Sequence, residues 1–190
     1  MRGVLVAALA VVLATGALFG CATAEKTTTT TTERVTTTTR PSVDKSKFAD
    51  VWRAIVKIES ATAVGVTYRD LGAPVQNLVT EVSLLPQDMN TSESELQLAV
   101  LRIAMAYNDS LILWERKLDQ SDSIAYGGIA IRRDGKPLID RAREMVDAYA
   151  LDLEPSTSMS GYEVVPDESI QQIWMWASES SDAIRPDIAP

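Results

Sequence analysis

Between residues 96 and 118, apolar side chains return every three or four positions: Leu96, Val100, Ile103, Tyr107, Leu111, Trp114 and Leu118. That period keeps them on one face of an α-helix, and such a face has to be buried against other elements. No strand can use the pattern, because a strand turns its side chains over every second residue. The same spacing recurs in Phe48, Val51, Ile55 and Ile58, then in Val64, Tyr68, Leu71, Val75, Leu78, Val82 and Leu85. It recurs again in Leu138, Ala142, Met145, Tyr149 and Leu153, and in Ile170, Ile173, Trp174 and Ala177. The expected fold is all-α, an irregular bundle of about four to five helices spanning residues 43–190.

Helix ends are read from capping residues. Asp44 or Ser46 opens the first helix, and Ser92 or Ser94 the third. Pro137 suits a first helical position, and Asp167 caps the last helix. The tract 46–85 is too long for one straight helix. Gly72 and Pro74 place a kink or break at 72–74, although the apolar phase slips nearer Ser60 to Ala63. Residues 121–136 lack helical period. Tyr126 to Ile131 and Asp134-Gly135 allow a hairpin, but a connecting loop is the expectation, because an isolated hairpin is only marginally stable. Residues 154–166, with Pro155, Gly161 and Pro166, read as a second loop.

The N-terminus has a different composition. Arg2 precedes an uncharged apolar run from Gly3 to Ala17, and then Leu18-Phe19-Gly20-Cys21. A basic start, an apolar stretch and small residues at a junction form a secretory signal. An uncleaved membrane-anchoring helix is the competing reading. Residues 22–42 hold two threonine runs, 27–32 and 36–39, and almost no large apolar side chain. Such a segment has nothing to bury and is expected to be a disordered tether; a glycosylated stalk is the alternative.

Leu18-Phe19-Gly20-Cys21 resembles the lipobox of bacterial lipoproteins. The resemblance covers residues 1–21 only. It implies a signal peptide over 1–20, an acylated Cys21 and a tether over 21–42 that holds the domain to the lipid bilayer. The residue after the cysteine, Ala22, implies the outer membrane, facing the periplasm, in a Gram-negative cell.

Composition narrows the chemistry. The 190 residues contain no histidine and one cysteine. Ser-His-Asp triads, Cys-His pairs and Cys/His zinc sites are thereby excluded. Four bases and two acids precede residue 41, leaving the rest with 14 bases against 24 acids and a net charge of −10. That balance argues against nucleic acid as partner. Glu115 with Asp119 and Asp140 with Glu144 share helix faces, but carboxylates so placed usually belong to solvated surfaces. No cofactor is implied.

Two features remain as a candidate binding patch. Arg132, Arg133 and Lys136, with Arg141 and Arg143, form the one basic cluster of the domain. Trp176 lies two residues from Trp174, so it is expected outside if Trp174 is in the core; Trp114 is expected as a core anchor. The functional expectation is a monomeric, non-enzymatic binding or structural domain whose partner is another envelope protein. A carrier of a small apolar ligand is the alternative, and a serine/carboxylate hydrolase a more distant one.

Overall fold

The computed structural model of the chain describes residues 41–120 and 127–190. Cys21, the signal sequence and the tether through residue 40 lie outside these residues, as does Tyr126. A 3-10 turn, Lys45–Phe48, leads into α1 (Ala49–Val64), α2 (Tyr68–Ser83) and α3 (Thr91–Asp119). Strands β1 (Ile129–Arg133) and β2 (Lys136–Pro137) follow, then α4 (Ala142–Tyr149), β3 (Glu154–Pro155), β4 (Tyr162–Val165) and α5 (Ser169–Ile188).

The helical stripes account for most of the core. Phe48, Val51, Ile55 and Ile58 are buried, as are Leu71, Val75, Leu78 and Val82 of α2. So are Leu96, Val100, Ile103 and Tyr107 of α3, and Ile170, Ile173 and Ala177 of α5. α3 is the central element, packed against α2 on one side and α5 on another. By length and composition it would suffice to cross a membrane, yet half of its most apolar window is buried inside the domain, as in a core helix.

The break in the 46–85 tract lies at Gly65, not at 72–74. Gly65 adopts φ +86° and ends α1; side chains rarely tolerate that conformation. Thr67 then caps α2, accepting from the Asp70 amide at 3.2 Å and donating to the Asp70 carboxylate at 2.6 Å. The phase slip near residues 60–63 marks this site. Val64, counted in the second stripe, instead ends α1 and is exposed. Helix α2 runs through Pro74. An interior proline costs about 3 kcal/mol, and burial of Leu71, Val75, Leu78 and Val82 on either side offsets it.

Pure all-α architecture is corrected by a four-stranded antiparallel sheet of order β2-β1-β4-β3. The expected loop at 121–136 contains the hairpin, turned by Asp134 (φ 49°) and Gly135 (φ 76°). Two successive positive φ values suit the twist of a two-residue hairpin. The hairpin is not isolated: β1 pairs with β4, from the second expected loop, in the register Ile129↔Val165, Ala130↔Val164 and Arg132↔Glu163. A bulge at Ile131 interrupts the alternation, which is how Ile129, Ala130 and Ile131 are all buried. Gln120 fastens the sheet to α3. Its amide accepts from Ala130 N at 3.1 Å and donates to Ala130 O at 3.2 Å, joined there by Arg116 Nε at 3.1 Å.

Several ends move. Asn90, not Ser92 or Ser94, caps α3, forming a reciprocal capping box with Glu93. Pro137 lies in β2, and α4 starts at Ala142. Asp167 precedes the last helix but pairs with Lys117 at 2.8 Å, and Glu168 takes the cap position.

Gly72 sits inside α2, and a Cβ built there meets nothing within 4 Å. Gly72→Ala is therefore expected to raise unfolding stability by about 0.5–1 kcal/mol, since alanine loses less backbone entropy in a helix. Urea melts of the two proteins measure it.

Candidate functional site

The expected patch does not form one free surface. Arg132 pairs with Glu163 at 3.0 Å and donates to Gly135 O at 3.2 Å. The Arg133 guanidinium lies 5.1 Å from the Tyr162 ring centre and 3.8 Å from Asp134. Lys136 is exposed at the end of the hairpin. Arg141 turns to Asp109, and Arg143 faces Asp147 at 3.9 Å. Four of the five cations thus have a carboxylate neighbour.

Trp176 is half-buried rather than outward, its ring edge on Tyr149 at 5.3 Å. Trp174 is half-buried too, with Nε1 donating to Ser110 Oγ at 2.9 Å. The buried seam of α5 is Ile173 and Ala177. At about 100° per residue, Trp174 and Trp176 flank that seam symmetrically, and Met175 points away from it, 62% exposed. Trp114 likewise is not a core anchor. Leu113 takes the buried position, and Trp114 lies half-exposed between Tyr68, at 6.1 Å, and Trp174, at 5.5 Å. From Tyr107 the buried positions continue in steps of three, through Ser110 to Leu113, so the buried face drifts around the helix toward the elements packed at its C-terminal half.

That drift carries polar residues inside. Asp109 is fully buried; it accepts from the Tyr149 hydroxyl at 2.8 Å and from Arg141 at 3.3 Å. Burial pushes its carboxyl up, while Tyr149 and Arg141 act in the opposite direction. Burial and the Asp109 bond push the Tyr149 hydroxyl up as well. The triad joins α3 to α4. Its signal in the sequence, absent from the apolar stripes, is a run of three polar residues, 108–110, inside an apolar helix. The surface carboxylates Glu115, Asp119, Asp140 and Glu144 are exposed.

A second polar cluster sits where the described chain begins. Glu93 is buried, and its carboxylate accepts from Lys47 Nζ at 2.8 Å, Asp44 N at 3.0 Å and Asn90 N at 3.0 Å. Asn90 Nδ2 donates to Ser42 O at 3.0 Å, and Lys45 Nζ to Ala189 O at 2.9 Å. These bonds hold the first described residues to the start of α3 and the end of α5. The same donors hold the Glu93 carboxyl down at about 2.

A groove with room for a ligand lies between α2 and α3. It is a half-open groove of about 460 Å³ lined by Val79, Val82, Ser83, Gln97, Leu98, Leu101, Ala104, Met105 and Asn108. None of the nine is charged. Leu98 is 57% exposed, and Val79 and Leu101 are exposed beside it. Helical spacing explains it: α3 is apolar on more of its circumference than α2 and α5 cover. Compared with family models, curated proteins and solved structures, the chain matches none.

Two measurements check these clusters. Glu93 is held down from 4.5 to about 2, so its stabilisation is complete above pH 4.5 and lost as pH falls toward 2. Stability–pH curves by circular dichroism should fall across that window, and Glu93→Gln should fall less. Tyr149→Phe takes one donor from the buried Asp109 carboxylate. It should cost about 1.5–3 kcal/mol, as for bonds to charged groups, measured by urea melts at pH 7.

Proposed function

We propose that the chain is a lipid-anchored cell-envelope protein whose helical domain binds its target without transforming it. Cys21 carries the anchor, and the groove between α2 and α3 is the binding surface. The observation that carries the reading is that groove: about 460 Å³, with no charge among its nine lining residues. Ligand sites are typically about 300–1,000 Å³, mostly apolar and furnished with a few polar groups. Ser83, Gln97 and Asn108 are those groups here.

The alternatives have less support. Arg132 and Arg133 of the hairpin are engaged by carboxylates and an aromatic ring, which lowers their availability to an anionic partner. A hydrolase needs a nucleophile beside a base. Buried Ser110 donates to Tyr107 O at 2.7 Å and accepts from Trp174, an arrangement that gives it no base; Ser181 does donate to the Glu59 carboxylate, but it is fully buried in α5, out of reach of a substrate at the surface.

Two experiments test the parts of this reading. Cys21→Ser should abolish incorporation of labelled palmitate and shift the protein out of the membrane fraction. Unchanged labelling and fractionation would remove the anchor. A photoreactive amino acid at Leu98 should give a defined adduct in intact cells, whereas one at exposed Asp147 on α4 should not. Equal capture at both positions would remove the groove as the binding surface.

A further inference from the structure

Helix α4 is attached unlike the other helices. It has eight residues and buries Ala142, Met145 and Tyr149. Arg141, just before it, and Ala150, just after it, both take the left-handed conformation, with φ 61° and φ 50°. A side chain crowds the backbone there, and glycine is the usual residue at such a helix end. Both junctions of α4 are therefore strained.

One carboxylate holds both ends. Buried Asp109 of α3 accepts from the Arg141 guanidinium at 3.3 Å and from the Tyr149 hydroxyl at 2.8 Å. Arg141 precedes the helix and Tyr149 ends it. From α5, Gln172 Nε2 donates to Tyr149 O at 3.0 Å and Ala150 O at 3.2 Å, gripping the C-terminal end alone. A short element with few buried side chains opens at a lower free energy than a core helix, and lifting α4 lets its two junctions relax.

Ionisation sets the strength of this attachment. The ionisable groups acting on Asp109 are Arg141 and Tyr149. α5 brings Trp174, bonded to Ser110, and Gln172, neither of them ionisable. Arg132 of β1 is turned to Glu163 and Gly135. Burial outweighs both partners and holds the Asp109 carboxyl above its ordinary 3.8. In an open state water returns it to that value. Protonation therefore favours the closed state, and ionisation the open one.

We propose that α4 is a flap, hinged at Arg141 and Ala150 and latched through both ends to Asp109, which opens while α1, α2, α3 and α5 stay folded and which acid shuts. The inference uses neither the groove between α2 and α3 nor the anchor.

Peptide-resolved hydrogen exchange on the full chain in detergent, corrected for the intrinsic pH dependence of amide exchange, tests it. The amides of residues 145–151 should be less protected than those of α3 and α5 at every pH. Their protection should fall at least threefold as pH rises from about 4.5 to about 8, and this fall should vanish in Asp109→Asn. Tyr149→Phe removes a donor that favours the ionised carboxyl, so its fall should be steeper; this variant supplies the test if Asp109→Asn does not fold. Protection of α4 equal to that of α3 and α5 would mean that it opens only with the whole domain, and would overturn the flap. Protection that is flat or rises with pH, or a fall unchanged in either variant, would overturn the latch.

Discussion

Everything in this domain is arranged around covering α3. A 29-residue helix with apolar residues on more than one face has more surface to hide than two neighbours can supply. α2 covers one side and α5 another, while the small sheet docks near its C-terminal end. Burial of apolar area drives that arrangement, and α2 leaves Leu98, Leu101 and Met105 incompletely covered. The groove is therefore a consequence of helix length and partner count, and its apolar character follows from the same stripe that builds the core.

Polar fixtures decide how the neighbours attach. Asp109 receives Tyr149 and Arg141 from the α4 region; Gln120 takes both sides of the Ala130 peptide; Glu93 gathers Lys47 and two backbone amides. Burying such groups without partners would cost more than the bonds return. Among the described residues no buried side-chain polar atom lacks one. Each fixture tolerates one arrangement, so they add uniqueness to a core that hydrophobic contact alone would specify loosely.

The placement of fixtures bears on function. The Glu93 cluster secures the chain where it enters the domain, at the N-terminal end of α3. The groove opens on the same helix less than two turns further on, at Gln97. The three aromatic rings Tyr68, Trp114 and Trp174 gather toward the other end of α3. If Cys21 is acylated, as proposed, the groove lies nearer the chain's entry point than the aromatic cluster does.

Local pattern was enough for the helices. Steps of three and four named every buried residue of α2 and the main apolar seams of α1, α5 and the first half of α3, though not Trp52, Ile188 or the small and polar residues buried beside those seams, because a helix writes its principal buried face into consecutive sequence. It was not enough for the sheet. β2 and β3 are two residues each, too short for any period, and β1 is buried at three consecutive positions through a bulge. Their existence depends on β4 pairing with β1 across 30 residues, a contact no local window contains. The same limit applies to the tryptophans. Whether Trp114, Trp174 or Trp176 is inside depends on where neighbouring helices touch, which the spacing along one helix does not contain. Asp109, Glu93 and Gln120 were visible as polar residues in apolar surroundings, but the partners of Asp109 and Gln120 and two of the three donors to Glu93 come from 10 to 49 residues away. Helical class, charge and excluded chemistry are thus properties of composition and short-range spacing. The groove, the sheet and the buried polar partners arise only when distant segments meet, because only then is it settled which apolar face is covered and which is left open.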